Sequence, residues 1–430
     1  MTLLLNTISI CVVIFSFFKI KWGILLYFLM LFFVPSLSYI TIPVLQKWVS
    51  FNAIIFLALC VYSYKNKEPL YIAPIKPFIL LFIFYLVLIP FQKEVPLDYQ
   101  LSSWVGQSFR ALILPLALLT IYKGGKPVEH ISWILCFVII AACVYGIFLI
   151  NLKGFNPYLV AMMPNASDLE EYSMGGSGRI FGRICSFFPH PMTFGVFLVC
   201  SFNYSLFKIL NSTSKLNLYF FWGMLVLIVI NAISCGVRAV IAGIVVSALS
   251  FLLVNKKIKY FIWSIALLSV VYFFISDNED LQYYITSIFE SSKKSRVQGS
   301  SISMRLEQLQ GCFVEIAKTP FVGHGYNWTA FYGTTKGDHP VILAFESLVF
   351  VVLCNWGVAG CVAWVLLLKR IWMDLWKRMK CDVDKYGVQL CLMLSYLSYT
   401  FITGDYCYIM YWIIFYCIIY LEQNSAYKKV

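Results

Sequence analysis

About thirteen runs of apolar residues follow one another along the chain, and each is close to the length of a membrane-spanning helix. A bilayer core of about 30 Å is crossed by roughly 20 apolar residues in an α-helix. The runs lie near residues 3–18, 22–41, 44–62, 75–92, 104–122, 131–150, 187–207, 217–234, 237–254, 260–276, 341–368, 386–403 and 406–421. Since some are short or interrupted by proline, the pattern predicts an all-α polytopic membrane protein with about 12–14 transmembrane helices.

The composition agrees with a membrane protein. Hydrophobic residues make up 61% of the 430 residues and charged residues only 12%, whereas soluble domains carry roughly a quarter charged residues. Soluble and disordered chains are therefore excluded. The excess of 13 positive charges is interpreted as membrane topology rather than nucleic-acid binding, because Lys and Arg accumulate in cytoplasmic loops.

The basic residues alternate between successive connections, which predicts the orientation. The first span is predicted to enter with its N-terminus outside, and the connections on the inner side carry most of the lysines. These lysines include Lys19, Lys21, Lys65, Lys67, Lys76, Lys123, Lys208, Lys215, Lys256, Lys257, Lys377, Lys380 and Lys385. Two outer segments are long, 151–186 and 277–340, and the whole chain, 1–430, is expected to form a single integral membrane domain.

The longer outer segment contains a periodic apolar pattern. Ile302, Leu306, Leu309, Phe313 and Ile316 recur at intervals of 4, 3, 4 and 3 residues, which places them on one face of a helix of about four turns. A second, shorter pattern precedes it at 281–288. Amphipathic helices lying on the outer face of the membrane fit both, and a purely structural cap is the alternative.

Several arginines fall at the predicted outer face. Arg179 and Arg183 lie four residues apart, Arg238 follows a short hairpin, Arg305 opens the amphipathic helix, and Arg110 lies inside an apolar span. Charged groups at a membrane are costly unless they are paired or functional. Because Arg binds phosphates through a bidentate fork, converging arginines would suit a lipid diphosphate, with ordinary salt bridges as the alternative.

A carboxylate and three histidines complete the candidate polar groups. Glu346 begins an apolar run at the outer end of a span, where it could accept a proton from a sugar hydroxyl or simply favour the helix dipole. His339 lies close enough in sequence to share a site with it, and His324 lies in a Gly-His-Gly run. His190, between two prolines, is expected to shape the turn into the next helix.

Four stretches, in this order, resemble the O-antigen polymerase and O-antigen ligase superfamily of bacterial envelope glycosyltransferases. They are GRIFGRICSFFPHPMTFG at 178–195, SCGVRA at 234–239, SMRLE at 303–307 running into TPFVGHGY at 319–326, and ESLVFVVLCNWGVAG at 346–360. Each motif is short, and their order and sidedness are more specific than any one of them. The motifs cover roughly 175–362.

The resemblance implies a substrate and a mechanism. The substrate would be an oligosaccharide on undecaprenyl diphosphate, as donor and as acceptor, at the periplasmic face of the bacterial inner membrane. Arg238, Arg305 and either Arg179 or Arg183 would bind the diphosphate, with His324 beside them, and Glu346 or His339 would act as base. Transfer would be metal-independent, without a cofactor, and inverting, while the 277–340 loop would cap the active site. Membrane lipid and a regulator of chain length are the further partners that this implies.

One position separates the two branches. In the ligase branch a His usually stands eleven residues before the first Gly of the Gly-x-x-Gly turn, and here that residue is Glu346. This favours a polymerase of O-antigen or capsule repeat units. The alternatives are an O-antigen ligase that transfers the glycan to lipid A core in lipopolysaccharide, with His339 as a displaced His, a lipid-linked oligosaccharide flippase, and a non-catalytic protein that binds the lipid carrier. A transporter usually needs polar groups at mid-membrane, whereas here they collect at one face.

Overall fold

The computed structural model describes residues 2–34, 42, 48–123, 128–152, 155–162, 183–255, 302–405 and 407–425. These residues form α-helices and contain no β-sheet. The helices are α1 (Thr2–Phe18), α2 (Ile20–Phe33), α3 (Trp48–Lys65), α4 (Lys76–Leu88), α5 (Leu97–Tyr122), α6 (Glu129–Asn151), α7 (Pro157–Met162), α8 (Pro191–Leu210), α9 (Lys215–Ser234), α10 (Arg238–Val254), α11 (Ile302–Ile316), α12 (Trp328–Lys336), α13 (Leu348–Met379), α14 (Val383–Thr403) and α15 (Ile409–Ser425).

The chain is an all-α, multi-pass membrane protein, as predicted. Among the described residues, six helical segments are long and apolar enough to cross a membrane: Ala73–Phe91, which contains α4 between two 3-10 turns, and α5, α6, α8, α9 and α13. Twelve of the thirteen predicted spans coincide with a helix in the described part of the chain. The predicted span near 260–276 lies outside the described residues, and the total of 12–14 stays a prediction.

The helices pack as a bundle around α8, α14 and α15. The middle of α15 is almost fully buried, with Trp412 packed in a T-shaped contact on Phe78 and stacked on Tyr396. α14 packs along both α8 and α10. Neighbouring helices therefore enclose the middle of α15.

The two ends of the bundle differ in charge. One end, called here the loop end, carries α11, α12 and residues 404, 405, 407 and 408. Most described lysines lie at the opposite end of the helices, including Lys19, Lys65, Lys123, Lys208, Lys215, Lys377, Lys380 and Lys385. At that end the Lys208 ammonium donates to Glu422 Oε2 at 2.9 Å, and the Tyr204 hydroxyl donates to Glu422 Oε1 at 2.6 Å.

One predicted span has a different course in the structure. The run 341–368 was expected to be one continuous helix, but α13 begins at Leu348 and Gly357 interrupts it with φ 60° and ψ −153°. The remainder continues to Met379, beyond the predicted end. The physical reason lies in residues 320–325. They form hydrogen bonds with backbone amides and carbonyls on both sides of the break.

Candidate functional site

The break in α13 is closed by residues 320–325. Beyond Gly357, the amides of Val358 and Ala359 donate to the carbonyls of Pro320 and Phe321 at 2.9 and 3.0 Å. Before it, the carbonyls of Cys354 and Asn355 accept from His324 and Gly325. All four backbone groups released by the break are thus satisfied, as a membrane interior requires.

Glycine is needed at this junction. A Cβ on Gly357 would lie 2.7 Å from the Pro320 carbonyl oxygen and 2.8 Å from the Gly323 amide nitrogen, and its backbone angles are nearly exclusive to glycine. A Cβ on Gly323 would in turn overlap the backbone of Asn355 and Trp356. The two glycines of the sequence motifs therefore allow two backbone segments to touch.

Helix α11, which was predicted from its apolar spacing, lies across this junction with its polar side inward. Gln308 and Cys312 are buried, and Gly311 packs closely on Val341 and Ile342. The predicted apolar stripe is divided: Leu306 and Phe313 are 58% and 56% exposed, whereas Ile316 is buried and Leu309 packs against the core. The two exposed residues suit a helix that meets lipid on that side.

Arg305 and Glu346 meet at the loop end, as their motifs place them. The Arg305 Nη1 donates to the backbone carbonyl of Glu346, and Nη2 lies 3.5 Å from its carboxylate oxygen Oε2. Burial lowers the pKa of the Arg305 guanidinium, and the Glu346 charge opposes that shift. Both side chains are partly exposed, 21% and 32%, so the pair is open to a ligand.

The two histidines near this pair have partners inside the protein. His339 Nε2 lies 3.3 Å from Glu315 Oε1, while its Nδ1 accepts from the amides of Val341 and Ile342. His324 is 1% exposed, stacks on Trp328, and lies between Glu94 at 2.8 Å and Glu315 at 3.8 Å. Both ring nitrogens of His339 thus form hydrogen bonds within the protein, and His324 is buried beside two carboxylates. The expectation that these two histidines contact substrate stays a prediction.

Glu315 joins these histidines to α11. Burial would raise the pKa of its carboxyl, but hydrogen bonds from Lys318 and His339 hold that pKa below the usual value. We expect Glu315→Gln to weaken both histidine contacts and to destabilise the docking of α11 by about 1–3 kcal/mol. Hydrogen exchange in α11 and in residues 320–325 should accelerate by a factor of about 5 or more.

The matched control for that prediction is Glu307→Gln, since Glu307 is an exposed carboxylate on the same helix. Its exchange should match that of the unsubstituted protein. Equal exchange rates in both variants would show that Glu315 does not hold α11 in place.

Further predicted arginines lie at the same end of the bundle. Arg238 is the first residue of α10, whose next turn packs against Gly195 of α8 through Val240.

His190 caps α8 by accepting from the Met192 amide, which confirms its expected role in the turn. Burial, together with the charge of Arg183, lowers the pKa of His190 to about 4, so Arg183 lies near it. Arg179 lies outside the described residues.

Asp405 is a carboxylate at this end that the sequence reasoning passed over. It accepts from the Tyr396 hydroxyl at 3.0 Å and from the amides of Tyr408 and Ile409 at the start of α15. Burial raises the pKa of its carboxyl to about 6. The available signal was its position just before an apolar run, which is typical of an N-cap residue.

The sequence also contains a pattern that could have indicated the inward position of Glu315. Arg305, Gln308, Cys312 and Glu315 recur at intervals of 3, 4 and 3, which is the helical face that the structure turns inward. Within the described part of the chain, no group of His, Cys, Asp and Glu is arranged to hold a metal ion.

This region also carries the similarity to known proteins. Residues 223–365 match the family model described as O-antigen ligase. The resemblance to the O-antigen ligase and polymerase superfamily is thereby confirmed over the last three of the four stretches. A search of curated proteins finds no match to the chain. The matched region includes Arg238, Arg305 and Glu346 and the junction at Gly357, whereas Arg183 lies before it.

Proposed function

We propose that this protein is a membrane glycosyltransferase that polymerises oligosaccharide repeat units carried on undecaprenyl diphosphate. The observation that carries this proposal is the Arg305–Glu346 pair, which places an anion-binding fork beside a carboxylate. Both residues lie within the region that matches the O-antigen ligase family. A diphosphate-linked sugar needs such a fork for its leaving group and such a base for its acceptor.

The loop end would face the periplasm, and the protein would lie in the bacterial inner membrane. The support for this orientation is the accumulation of lysines at the opposite end of the helices, since basic residues favour the cytoplasmic side. Donor and acceptor would then both arrive at the outer leaflet.

Arg305 would exchange partners during binding. A partly exposed ion pair contributes only about 0–1 kcal/mol to stability, so a diphosphate with more charge and more acceptor oxygens can replace Glu346 at the guanidinium. Arg238 and either Arg183 or Arg179 would bind the same diphosphate from α10 and from the segment before α8. Once released from Arg305, Glu346 would be available to the acceptor.

The transfer would be a single displacement. The Glu346 carboxylate takes the proton of an acceptor hydroxyl, and that oxygen forms a bond to the anomeric carbon of the donor sugar. The bond from this carbon to the diphosphate oxygen breaks on the opposite face, and undecaprenyl diphosphate leaves with the electron pair, stabilised by the arginines. The anomeric configuration is inverted, and the step requires no metal ion.

His339, His324 and Glu315 would act as positioning residues in this scheme. Their contacts hold α11 on residues 320–325 and 339–346, and α11 carries Arg305. The 277–340 loop would thereby limit the access of water, which would divert transfer into hydrolysis.

A ligase is the second candidate, because the matching family model is described as O-antigen ligase. The same arginines and base would then pass the glycan to lipid A core instead of a second repeat unit. A partner that sets chain length fits only the polymerase.

A reconstituted assay distinguishes the polymerase from the ligase. The purified protein in lipid is given a synthetic undecaprenyl-diphosphate repeat unit, and products are resolved by size. The polymerase proposal expects a ladder that falls about 100-fold or more in Glu346→Gln, which removes the base, and is kept in Glu307→Gln. Transfer only after lipid A core is added would instead show a ligase, and binding without any transfer would contradict both.

A further inference from the structure

Two of the fourteen cysteines touch through their sulfur atoms. Cys312 on α11 and Cys354 on α13 have their Sγ atoms 4.0 Å apart, although they are separated by 42 positions in the chain. Both are free thiols in the structure, and both side chains are fully buried. Since a disulfide bond has a length of about 2.05 Å, the two sulfurs have only about 2 Å left to approach.

The position of this contact connects it to the candidate site. Arg305 precedes Cys312 by seven residues on α11, and Glu346 precedes Cys354 by eight residues. Seven or eight residues are about two turns of a helix. The sulfur contact and the Arg305–Glu346 pair are therefore two contacts between the same two segments of the chain, about two turns apart.

The side of the membrane determines whether two touching thiols become oxidised. Disulfides form and persist in the bacterial periplasm, whereas thiols stay reduced in the cytosol. Cys312 and Cys354 lie on the side of the loop end, which the proposed function assigns to the periplasm. The inference below rests on the proposed function for that orientation alone.

We propose that Cys312 and Cys354 form a disulfide bond that fastens α11 to the first part of α13. The oxidant is a disulfide-bearing protein or small molecule of the periplasm. The thiolate of one cysteine attacks that disulfide, which forms a mixed disulfide and releases one thiol of the oxidant. The thiolate of the second cysteine then attacks the sulfur of the first, and the other oxidant thiol leaves. The two protein thiols lose two electrons and two protons, and the disulfide of the oxidant is reduced to two thiols.

Burial determines when this exchange takes place. Neither sulfur is exposed while α11 lies on the junction, so the exchange either precedes the docking of α11 or requires that α11 open. The same burial then protects the bond from reducing agents, because exchange depends on access to the sulfur. Two free thiols that pack as small apolar side chains are the alternative that the test has to distinguish.

The first experiment determines the state of the thiols by mass spectrometry. Bacterial membranes that contain the full-length chain are dissolved in SDS without reductant and with N-ethylmaleimide, which alkylates every free thiol of the unfolded protein. We expect a pair of peptides joined through Cys312 and Cys354, two hydrogens lighter than the sum of its parts. Cys235, which is also buried and lies directly after α9, is the control in the same sample and should be alkylated.

The second experiment measures what the bond does to α11. Reduction with a phosphine, followed to completion by mass, should accelerate hydrogen exchange in α11 by a factor of about 10 or more, because the bond prevents α11 from separating from α13. Cys312→Ser has no bond to reduce, so exchange in α11 should be fast with or without the phosphine. Cys235→Ser is the matched control and should respond to the phosphine as the unsubstituted protein does.

The outcomes separate this inference from the proposed function. Alkylation of both Cys312 and Cys354 in the unsubstituted protein, or a bond from either of them to another cysteine, would overturn the cross-link. Free thiols together with sugar transfer would leave the proposed function standing alone, whereas the joined peptides in a protein that transfers no sugar would leave the cross-link standing alone. The orientation has its own readout, since the exposed Cys381 beyond the far end of α13 should resist a membrane-impermeant maleimide added to spheroplasts.

Discussion

Replacing Arg305 with alanine should lower glycosyl transfer by about 100- to 1000-fold, the effect of removing one preorganised charge-stabilising donor. Arg305 is the arginine whose guanidinium the structure places against the candidate base, at 3.5 Å from Glu346 Oε2. Its loss removes a bidentate partner for the leaving diphosphate, and the Glu346 carboxylate also loses its neighbour. We expect both the rate and the affinity for the lipid-linked donor to fall, measured by product ladders over a range of donor concentrations.

Arg305→Lys tests whether the diphosphate needs the bidentate geometry of the guanidinium. Lysine keeps the charge but binds phosphate as a point charge, so transfer should recover only part of the loss. The matched control is Arg370→Ala, which removes a guanidinium that lies 3.5 Å from a carboxylate of Asp374 on the exposed surface of α13. Arg370 lies away from the loop end, and its loss should change transfer less than 2-fold. Full activity in Arg305→Ala would contradict the assignment of the diphosphate to this arginine.

The helices were largely predictable because each element is specified by a local pattern. Apolar runs near 20 residues predict spans, and the 4-3-4-3 spacing predicted a helix of about four turns where the structure has α11. The spacing alone did not predict which face of α11 is turned into the protein. An amphipathic helix in a membrane protein can turn apolar residues away from the protein, and here Leu306 and Phe313 are exposed while Gln308 is buried.

The parts of the candidate site that lie in recognisable motifs could be predicted from the sequence. Contacts between distant segments were harder to predict. The order of motifs placed Arg305 and Glu346 at the same end of the bundle. The roles of His324 and His339 depend on Glu94 and Glu315, which come from separate segments with no sequence pattern linking them. Asp405 is recognised only through its burial and through its hydrogen bonds to Tyr396 and to the start of α15.

Gly357→Ala should be the most damaging single-methyl substitution at the site. The backbone region of Gly357 costs other residues about 1–3 kcal/mol, and the added Cβ would lie within 2.9 Å of three backbone atoms of residues 320–323. Two of them, the carbonyl oxygens of Pro320 and Phe321, accept the hydrogen bonds that close the break. Because all three are backbone atoms, relief by a side-chain rotation is excluded. We expect a loss of roughly 3 kcal/mol or more, a large part of the 5–15 kcal/mol of a typical folded domain. Thermal unfolding in detergent should show it, together with loss of transfer.

Alanine would also favour the wrong structure, because it is the strongest helix former and would tend to make α13 continuous. A continuous helix would use the amides of Val358 and Ala359 internally and would release residues 320–325, and with them His324 and the support of α11. Gly333→Ala is the matched control, since Gly333 lies inside α12 with open space where its Cβ would stand. That variant should be unchanged or stabilised by up to about 1 kcal/mol. If Gly357→Ala unfolds at the same temperature as Gly333→Ala and still transfers sugar, the closed break is not needed for the site.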